Sequence, residues 1–260
     1  VDASFFVSLD IHPIKKVSIV PALRYGYNNM YVKLPTPSLQ FKYDVSENSA
    51  FRLNYGMGYR TPDLKEMYLV FNDANHNIFG NKDLKAENSH NFSTSYNYQN
   101  SFNKHGLKVG AKFFYNHKYN AIVLTPDANL VYKYVNIAQN TSLGVQLDNK
   151  YTFKGLTVGV GFSYTGLTND LYPTDNSLKK YYFYPQMQTN VSYDFKKINL
   201  SLNLFNKWMG KRYDYQLNEN DEAVQIQTQS YDLMDFTVQK GFWKNRIGIT
   251  AGIKNILNVT

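Results

Sequence analysis

Leu156–Tyr164 reads LTVGVGFSY. Leu156, Val158, Val160, Phe162 and Tyr164 fall on one side of an extended chain, and Thr157, Gly159, Gly161 and Ser163 on the other. A helix needs apolar residues three and four apart; a strand needs every second one. The same alternation recurs in FRLNYGMGYR (Phe51–Arg60), in Phe183–Phe195, in INLSLNL (Ile198–Leu204) and in RIGITAGIK (Arg246–Lys254). About twelve such runs are expected from strand and turn signals. Their cores are Ser4–Ile11, Lys16–Asn28, Pro37–Asp44, Ala50–Arg60, Ser89–Asn100, Leu107–Leu124, Thr141–Phe153, Leu156–Thr168, Tyr182–Phe195, Ile198–Tyr213, Tyr231–Phe242 and Arg246–Leu257. The one helical signal is weak and lies in DLKEMYLV (Asp63–Val70). Pro21 and Pro185 interrupt strand patterns and predict local bulges, because proline cannot donate to a ladder.

The connections also alternate. Short basic turns (HPIKK, FKG, FKK, WKN) follow the first, seventh, ninth and eleventh strands, and long ones follow the second, fourth, sixth, eighth and tenth. Turns of middling length, VSEN and QNSFNKH, follow the third and fifth. Short turns at one end and long loops at the other is the pattern of a transmembrane antiparallel β-barrel. In lipid every backbone group must be bonded internally, so strands span only as a closed sheet. A greasy outward face and a wet inward face then reconcile strong alternation with a mean hydropathy of −0.46. The 23 tyrosines fit the same picture, since phenol rings settle at the headgroup level. Tyr25, Tyr55, Tyr59, Tyr115, Tyr119 and Tyr164 fall near the long loops, and Tyr151, Phe153, Tyr193, Phe195, Phe242 and Trp243 near the short turns. A soluble β-sandwich fits poorly, because sandwich strands have a mode of five or six residues.

The 260 residues contain no cysteine, which removes disulfides and thiolate metal sites. The net charge of +8 is scattered rather than gathered in a stripe, so no nucleic-acid partner is expected. No phosphate loop, HExxH or EF-hand pattern occurs, and no nucleophile has a histidine in a matching barrel layer. An enzyme is not expected, and no intrinsic cofactor is implied.

YRTP (Tyr59, Arg60, Thr61, Pro62), a long interval, and then GNKDL (Gly80, Asn81, Lys82, Asp83, Leu84) resemble the paired boxes of TonB-dependent outer-membrane receptors. That family shows an F/Y-R-A-P box ending one strand and an N-P-x-L box opening the return strand. Here Thr61 stands for the alanine and Lys82 for the proline. VPALRYGYN (Val20–Asn28) and GIKNILNVT (Gly252–Thr260) are further echoes. The resemblance implies a 22-stranded barrel, of which residues 1–260 are the C-terminal half within one barrel domain, with the plug domain and last strand absent. A complete twelve-stranded barrel is the structural alternative.

The resemblance further implies a receptor in the outer membrane of a Gram-negative bacterium. It would bind a scarce, bulky nutrient, heme or a ferric siderophore, at its loops and import it with TonB energy. TonB–ExbB–ExbD would act through the missing N-terminal region, with lipid, lipopolysaccharide and a surface lipoprotein as further partners. Heme-transporting members carry a histidine between the boxes, a place His76 occupies, where imidazole suits heme iron. Tyr68, Phe71 and Phe79 would stack on the ligand, and Arg60, Lys65, Lys179 and Lys180 would favour an anionic siderophore. A corrinoid receptor, a passive porin and a small-barrel outer-membrane enzyme are the alternatives.

Overall fold

The computed structural model describes residues 2–32, 34–73, 77–126, 131–169, 181–217 and 223–259. Its strands are β1 (Asp2–Ser8), β2 (Ile11–Ile14), β3 (Val17–Asn28), β4 (Thr36–Ser46), β5 (Ser49–Arg60), β6 (Val70–Asn72), β7 (Asn77–Phe79), β8 (Glu87–Phe102), β9 (His105–Pro126), β10 (Tyr132–Phe153), β11 (Leu156–Asn169), β12 (Tyr182–Phe195), β13 (Leu200–Met209), β14 (Arg212–Leu217), β15 (Ala223–Thr228), β16 (Tyr231–Phe242) and β17 (Ile247–Ile253). One short helix, α1 (Leu64–Tyr68), lies between β5 and β6.

Fifteen strands form one sheet, ordered β1-β3-β4-β5-β8-β9-β10-β11-β12-β13-β16-β17, with β2, β6 and β7 off this path. Each step along the path is an antiparallel pairing, and the twelve runs expected from alternation map onto it one for one. Among the described residues β1 and β17 each pair on one side only, so the sheet is open.

Register aligns the faces. Directly opposed residues share a face, and one row runs Tyr164, Val145, Phe113, Thr94, Leu53, Phe41, Ile19, Ile11. A second runs Val158, Val191, Leu204, Phe236, Ile253. The opposite face carries Ser163, Gln146, Lys112, Ser95, Arg52, Lys42 and Ser18 in a single row. The apolar rows stand in the open: Phe162, Val145 and Leu147 are all exposed. Among the described residues the buried apolar side chains of the core are few, namely Ala50, Met67, Leu84, Ala121 and Ile137. The accessible surface is 17369 Å² for 30.1 kDa, against roughly 12,000 Å² for a compact monomer of that mass. The sheet is therefore a single layer with no hydrophobic core of its own. No described helix is long and apolar enough to cross a membrane.

Three expectations need correction. No bulge forms at either proline. Across from Pro21 the register holds, with Ser8 opposite Ala22 and Ile11 opposite Ile19. The missing N–H only splits the first strand into β1 and β2, and Leu9 N–H still donates to Pro21 O at 3.1 Å. Pro185 likewise stays in register opposite Tyr164 and accepts from Gly210 N–H at 2.8 Å. The irregularity falls instead between Ile11 and Ile14, at the adjoining turn. Second, the middling connections are as tight as the others, with two-residue turns at 47–48 and 103–104. The tenth run is also broken: β13 stops at Met209, and β14 pairs with β15 in a separate ribbon.

Placing an arginine on the outward row should cost about 2–4 kcal/mol near the bilayer midplane. Leu204→Arg is expected to lose that much unfolding free energy in lipid, whereas Asn203→Arg on the inward face loses less than about 1 kcal/mol. Equal losses would contradict the assignment of faces.

Candidate functional site: the clamp at the base of the long loop

β5 ends at Arg60 because Pro62 fixes φ and cannot donate to a ladder. The chain then turns into α1 through a capping box. Asp63 Oδ1 accepts from Glu66 N–H at 2.7 Å, and Glu66 Oε2 accepts from Asp63 N–H at 2.8 Å. These bonds satisfy donors that a helix start otherwise leaves open.

The cap also aims the Glu66 carboxylate at Arg60, whose Nη1 donates to both of its oxygens at 2.9 and 2.8 Å. Arg60 Nε donates to Glu87 Oε2 at 2.6 Å, and the other oxygen of Glu87 accepts from Ile122 N–H at 2.6 Å. One guanidinium thus joins the end of β5, the helix, the start of β8 and the outer part of β9. Both carboxylates are largely shielded, with side chains 13% and 15% exposed, while Arg60 is 44% exposed. Charge-assisted bonds of this kind are stronger than neutral ones.

The second box closes the same unit. Gly80 N–H donates to Leu69 O at 2.6 Å and Asn81 N–H to Glu66 O at 2.9 Å. A Cβ on Gly80 would lie 2.6 Å from the carbonyl carbon of Met67 and from Tyr68 N, so the close approach requires glycine. Asn81 Nδ2 donates to Tyr134 O at 3.0 Å, and its Oδ1 accepts from Asp83 N–H at 2.9 Å. Asn136 Oδ1 accepts from Lys85 N–H at 2.7 Å, and its Nδ2 donates to Lys85 O at 3.0 Å. Leu84, Met67 and Pro62 are buried between these contacts. Tyr31 reaches over from the β3–β4 loop, its hydroxyl 3.3 Å from Met67 Sδ. Burial first, and the neighbouring Tyr68 phenol second, hold the Tyr31 hydroxyl above its ordinary pKa. Tyr59 O–H donates to Val32 O at 2.9 Å.

The two boxes are therefore brought together, and they act on each other. Of the other expected site residues, Lys65 and Tyr68 lie on α1, Phe71 on β6 and Phe79 on β7. Tyr68 and Phe71 are exposed, with the Lys82 ammonium 5.2 Å from the Tyr68 ring centre. Phe79 is half-buried in a hairpin, opposite Val70, and β7 runs parallel to β10. His76, Lys179 and Lys180 lie outside the described residues. Beside the clamp, a cleft of about 630 Å³ is lined by residues including Phe6, Arg24, Leu34, Ser38, Tyr59 and Arg60, a size suited to a small ligand. Arg24 Nη2 donates to Ser4 Oγ at 3.1 Å there. A second depression, about 430 Å³, lies lower on the inward face, over Gly110, Gly159 and Gly161. Among the described residues no three histidine, aspartate or glutamate side chains gather as a metal cage. Sequence reading missed Glu66 and Glu87 as partners of Arg60; Glu66, three residues after Asp63, was the available cue.

Residues 2–256 match the family model described as TonB dependent receptor-like, beta-barrel. The chain belongs to this family. The fold is shared with solved receptors of low sequence identity. The ferric enterobactin receptor PfeA of Pseudomonas aeruginosa, as a Q482A mutant in complex with enterobactin, is 17% identical with a TM-score of 0.74 over 98% of this chain and 40% of that one. The siderophore receptor PirA of Acinetobacter baumannii is 16% identical, TM-score 0.75, over 99% and 41%. The FrpB iron transporter of Neisseria meningitidis is 16% identical, TM-score 0.72, over 99% and 41%. The chain thus spans about two fifths of the length of these structures. No curated protein matches it by sequence.

Arg60→Ala should loosen the TonB-dependent receptor wall at one place, the base of the 61–86 loop. A double-mutant cycle with Glu87→Ala is expected to give a coupling of about 1 kcal/mol, discounted for the exposure of Arg60. Amide exchange at Glu66, Met67, Leu69 and Gly80 should quicken in the single mutant. Gly80→Ala, which meets backbone, should quicken the same amides at a cost of about 1–3 kcal/mol. Unchanged exchange in both would refute the clamp.

Proposed function

We propose that this chain forms the loop-bearing wall of an outer-membrane receptor that captures a ferric siderophore and imports it with TonB energy. Membership in the receptor family and likeness to siderophore receptors support the reading. The observation that carries it is the union of the two boxes. Arg60, Glu66, Glu87, Gly80 and Asn81 fix a long loop at the mouth of a wall that is apolar outside and polar inside.

In this reading the outward rows meet hydrocarbon, the loop end faces the exterior, and the short turns face the periplasm. The unpaired edges of β1 and β17 join further strands of a closed barrel, since an open edge is not tolerated in lipid. A plug and the segment that engages TonB lie in the remainder of the receptor, with ExbB and ExbD supplying energy through TonB. Lipopolysaccharide surrounds the outer girdle.

The ligand sits against the loop. The aromatic faces of Tyr68, Phe71 and Phe79 pack on an aromatic chelate. The cationic groups of Lys82, Arg24 and Lys65 draw its negative charge inward by the long-range attraction that steers anions. Arg60 serves the ligand indirectly, by holding the loop that presents these side chains. The cleft beside the clamp is the first stop on the inward path.

Two titrations of the complete receptor separate the candidate cargoes. A ferric catecholate should quench intrinsic fluorescence saturably, and iron uptake by cells should stop when TonB is deleted or the proton gradient is collapsed. Saturable hemin binding with a Soret shift that His76→Ala abolishes, without binding of ferric siderophores, would replace the siderophore by heme. Uptake that persists without TonB would reject active transport.

A further inference from the structure

The short-turn end of the sheet carries an arrangement that ligand capture does not use. Turns at 15–16, 103–104, 154–155, 196–199 and 243–246 all hold lysines; among the six short turns described, only 47–48 carries an acid instead. Three of these lysines occupy left-handed backbone: Lys104 at φ 70°, Lys154 at φ 54° and Lys244 at φ 57°.

That placement is costly. Two-residue hairpins with positive φ at both positions favour Asn-Gly, and the turn at Asn103-Lys104 puts lysine where glycine is preferred. In the next hairpin Lys154 is left-handed while Gly155 beside it is not. Gly155 is needed for another reason, since a Cβ there would meet Asp194 O at 2.5 Å. Trp243, Lys244 and Asn245 are left-handed in succession, whereas non-glycine residues ordinarily visit this region singly. Strain retained at several equivalent sites points to a use for the side chains.

The surroundings say what the side chains meet. Lys104, Lys154 and Lys244 are exposed, and among the described residues none is in an ion pair. The Lys154 ammonium lies 4.9 Å from the centre of the Phe153 ring. His105 is stacked between Phe102 and Phe153, with ring centres 5.4 and 4.2 Å away. Its Nδ1 is 2.7 Å from the Tyr151 hydroxyl. When Tyr151 donates to Nδ1, the proton of neutral imidazole sits on Nε2, a donor at the edge of the aromatic slab. His105, Tyr151 and Phe153 share the face of the apolar rows, since Tyr151 stands opposite Val158. Cations above an aromatic belt, at the margin of an apolar band, match the phosphate level of a bilayer.

We infer that this rim is a binding surface for the phosphate of phospholipid headgroups. Lys104, Lys154 and Lys244 are its cations, and His105 between two phenylalanines is its seat in the aromatic belt. Each lysine stands at the tip of its hairpin, so the rim prefers anionic phospholipid over zwitterionic. The choice of leaflet rests on the proposed orientation; the lipid preference does not.

The test uses the complete receptor in nanodiscs of phosphatidylcholine and phosphatidylglycerol, without iron chelate, so that it can fail independently of the ligand reading. Lipids retained on the protein are counted by native mass spectrometry. Wild type should retain phosphatidylglycerol preferentially, and the preference should weaken with added salt, because exposed charges are screened. The triple variant Lys104→Asn, Lys154→Asn, Lys244→Asn should lose roughly fivefold of that preference per lysine. Its melting temperature in lipid-free detergent should hold or rise, because asparagine accepts the left-handed region. Replacement of all three by arginine should keep the preference. An unchanged preference in the asparagine variant, or a wild-type preference absent or indifferent to salt, overturns the proposal. Quenching of exposed Trp243 by brominated lipid A in place of brominated phosphatidylglycerol would overturn it equally, by assigning the rim to lipopolysaccharide.

Discussion

Every backbone donor and acceptor of a strand that crosses hydrocarbon must find a partner on a neighbouring strand, because the solvent offers none. That requirement organises this sheet. The path from β1 to β17 runs without a crossover, each strand beside its predecessor on the path. Register is kept where proline removes a donor, at Pro21 and at Pro185. A bulge at either would turn the strand beyond it over and send apolar side chains inward, since the period of a strand is two. The sheet tolerates a lost bond and keeps the face. Its stabilisation does not come from a core, because only a handful of apolar side chains are buried among the described residues. It comes from the ladder, and from the medium that accepts the rows headed by Tyr164 and Val158.

The same requirement relaxes beyond the tyrosines. β9 and β10 are each 22 residues long, about twice what a tilted strand needs to cross, so they extend well past a membrane-spanning length. Charge becomes affordable there. Arg60, Glu66 and Glu87 sit at that level, joined to Ile122 N–H on β9. The loop is thus anchored to strands that are themselves rigid. A loop held at its base keeps the exposed aromatics Tyr68 and Phe71 close to ordered backbone. At the other end the turns are two to four residues long, and all but the one at 47–48 carry one or two basic residues.

Alternation made the architecture legible because a single-layer sheet between two media leaves no tertiary packing to override the pattern. The run LTVGVGFSY became β11 with the expected faces. Asp63–Val70, a weak helical signal, became α1 because Asp63 and Glu66 cap it reciprocally. What sequence did not reveal depends on contacts far apart in the chain. The start of β10 falls at Tyr132 rather than Thr141, since YKYVNIAQN lacks the strict apolar alternation that announces the later part of the strand. The pairing of Arg60 with Glu87 spans 27 residues, and that of Asn136 with Lys85 spans 51. Periodicity carries no record of such contacts. The boxes were visible as motifs, but their meaning as two halves of one clamp needed coordinates. His76, on which the heme reading turned, lies outside the described residues.

The central claim is that one face of this sheet meets lipid tails and the other meets water. The chain has no cysteine, so single spin labels can be introduced without background. Labels at Val158, Val191, Leu204 and Gly159, Ser192, Asn203 in the complete receptor, reconstituted in bilayers, can be read by power-saturation electron paramagnetic resonance. The account predicts that the first three are relaxed by oxygen dissolved in the membrane and shielded from a water-soluble nickel chelate. The second three should be shielded from membrane oxygen. Uniform accessibility along each strand, or oxygen relaxation strongest at Gly159 and Asn203, would contradict it.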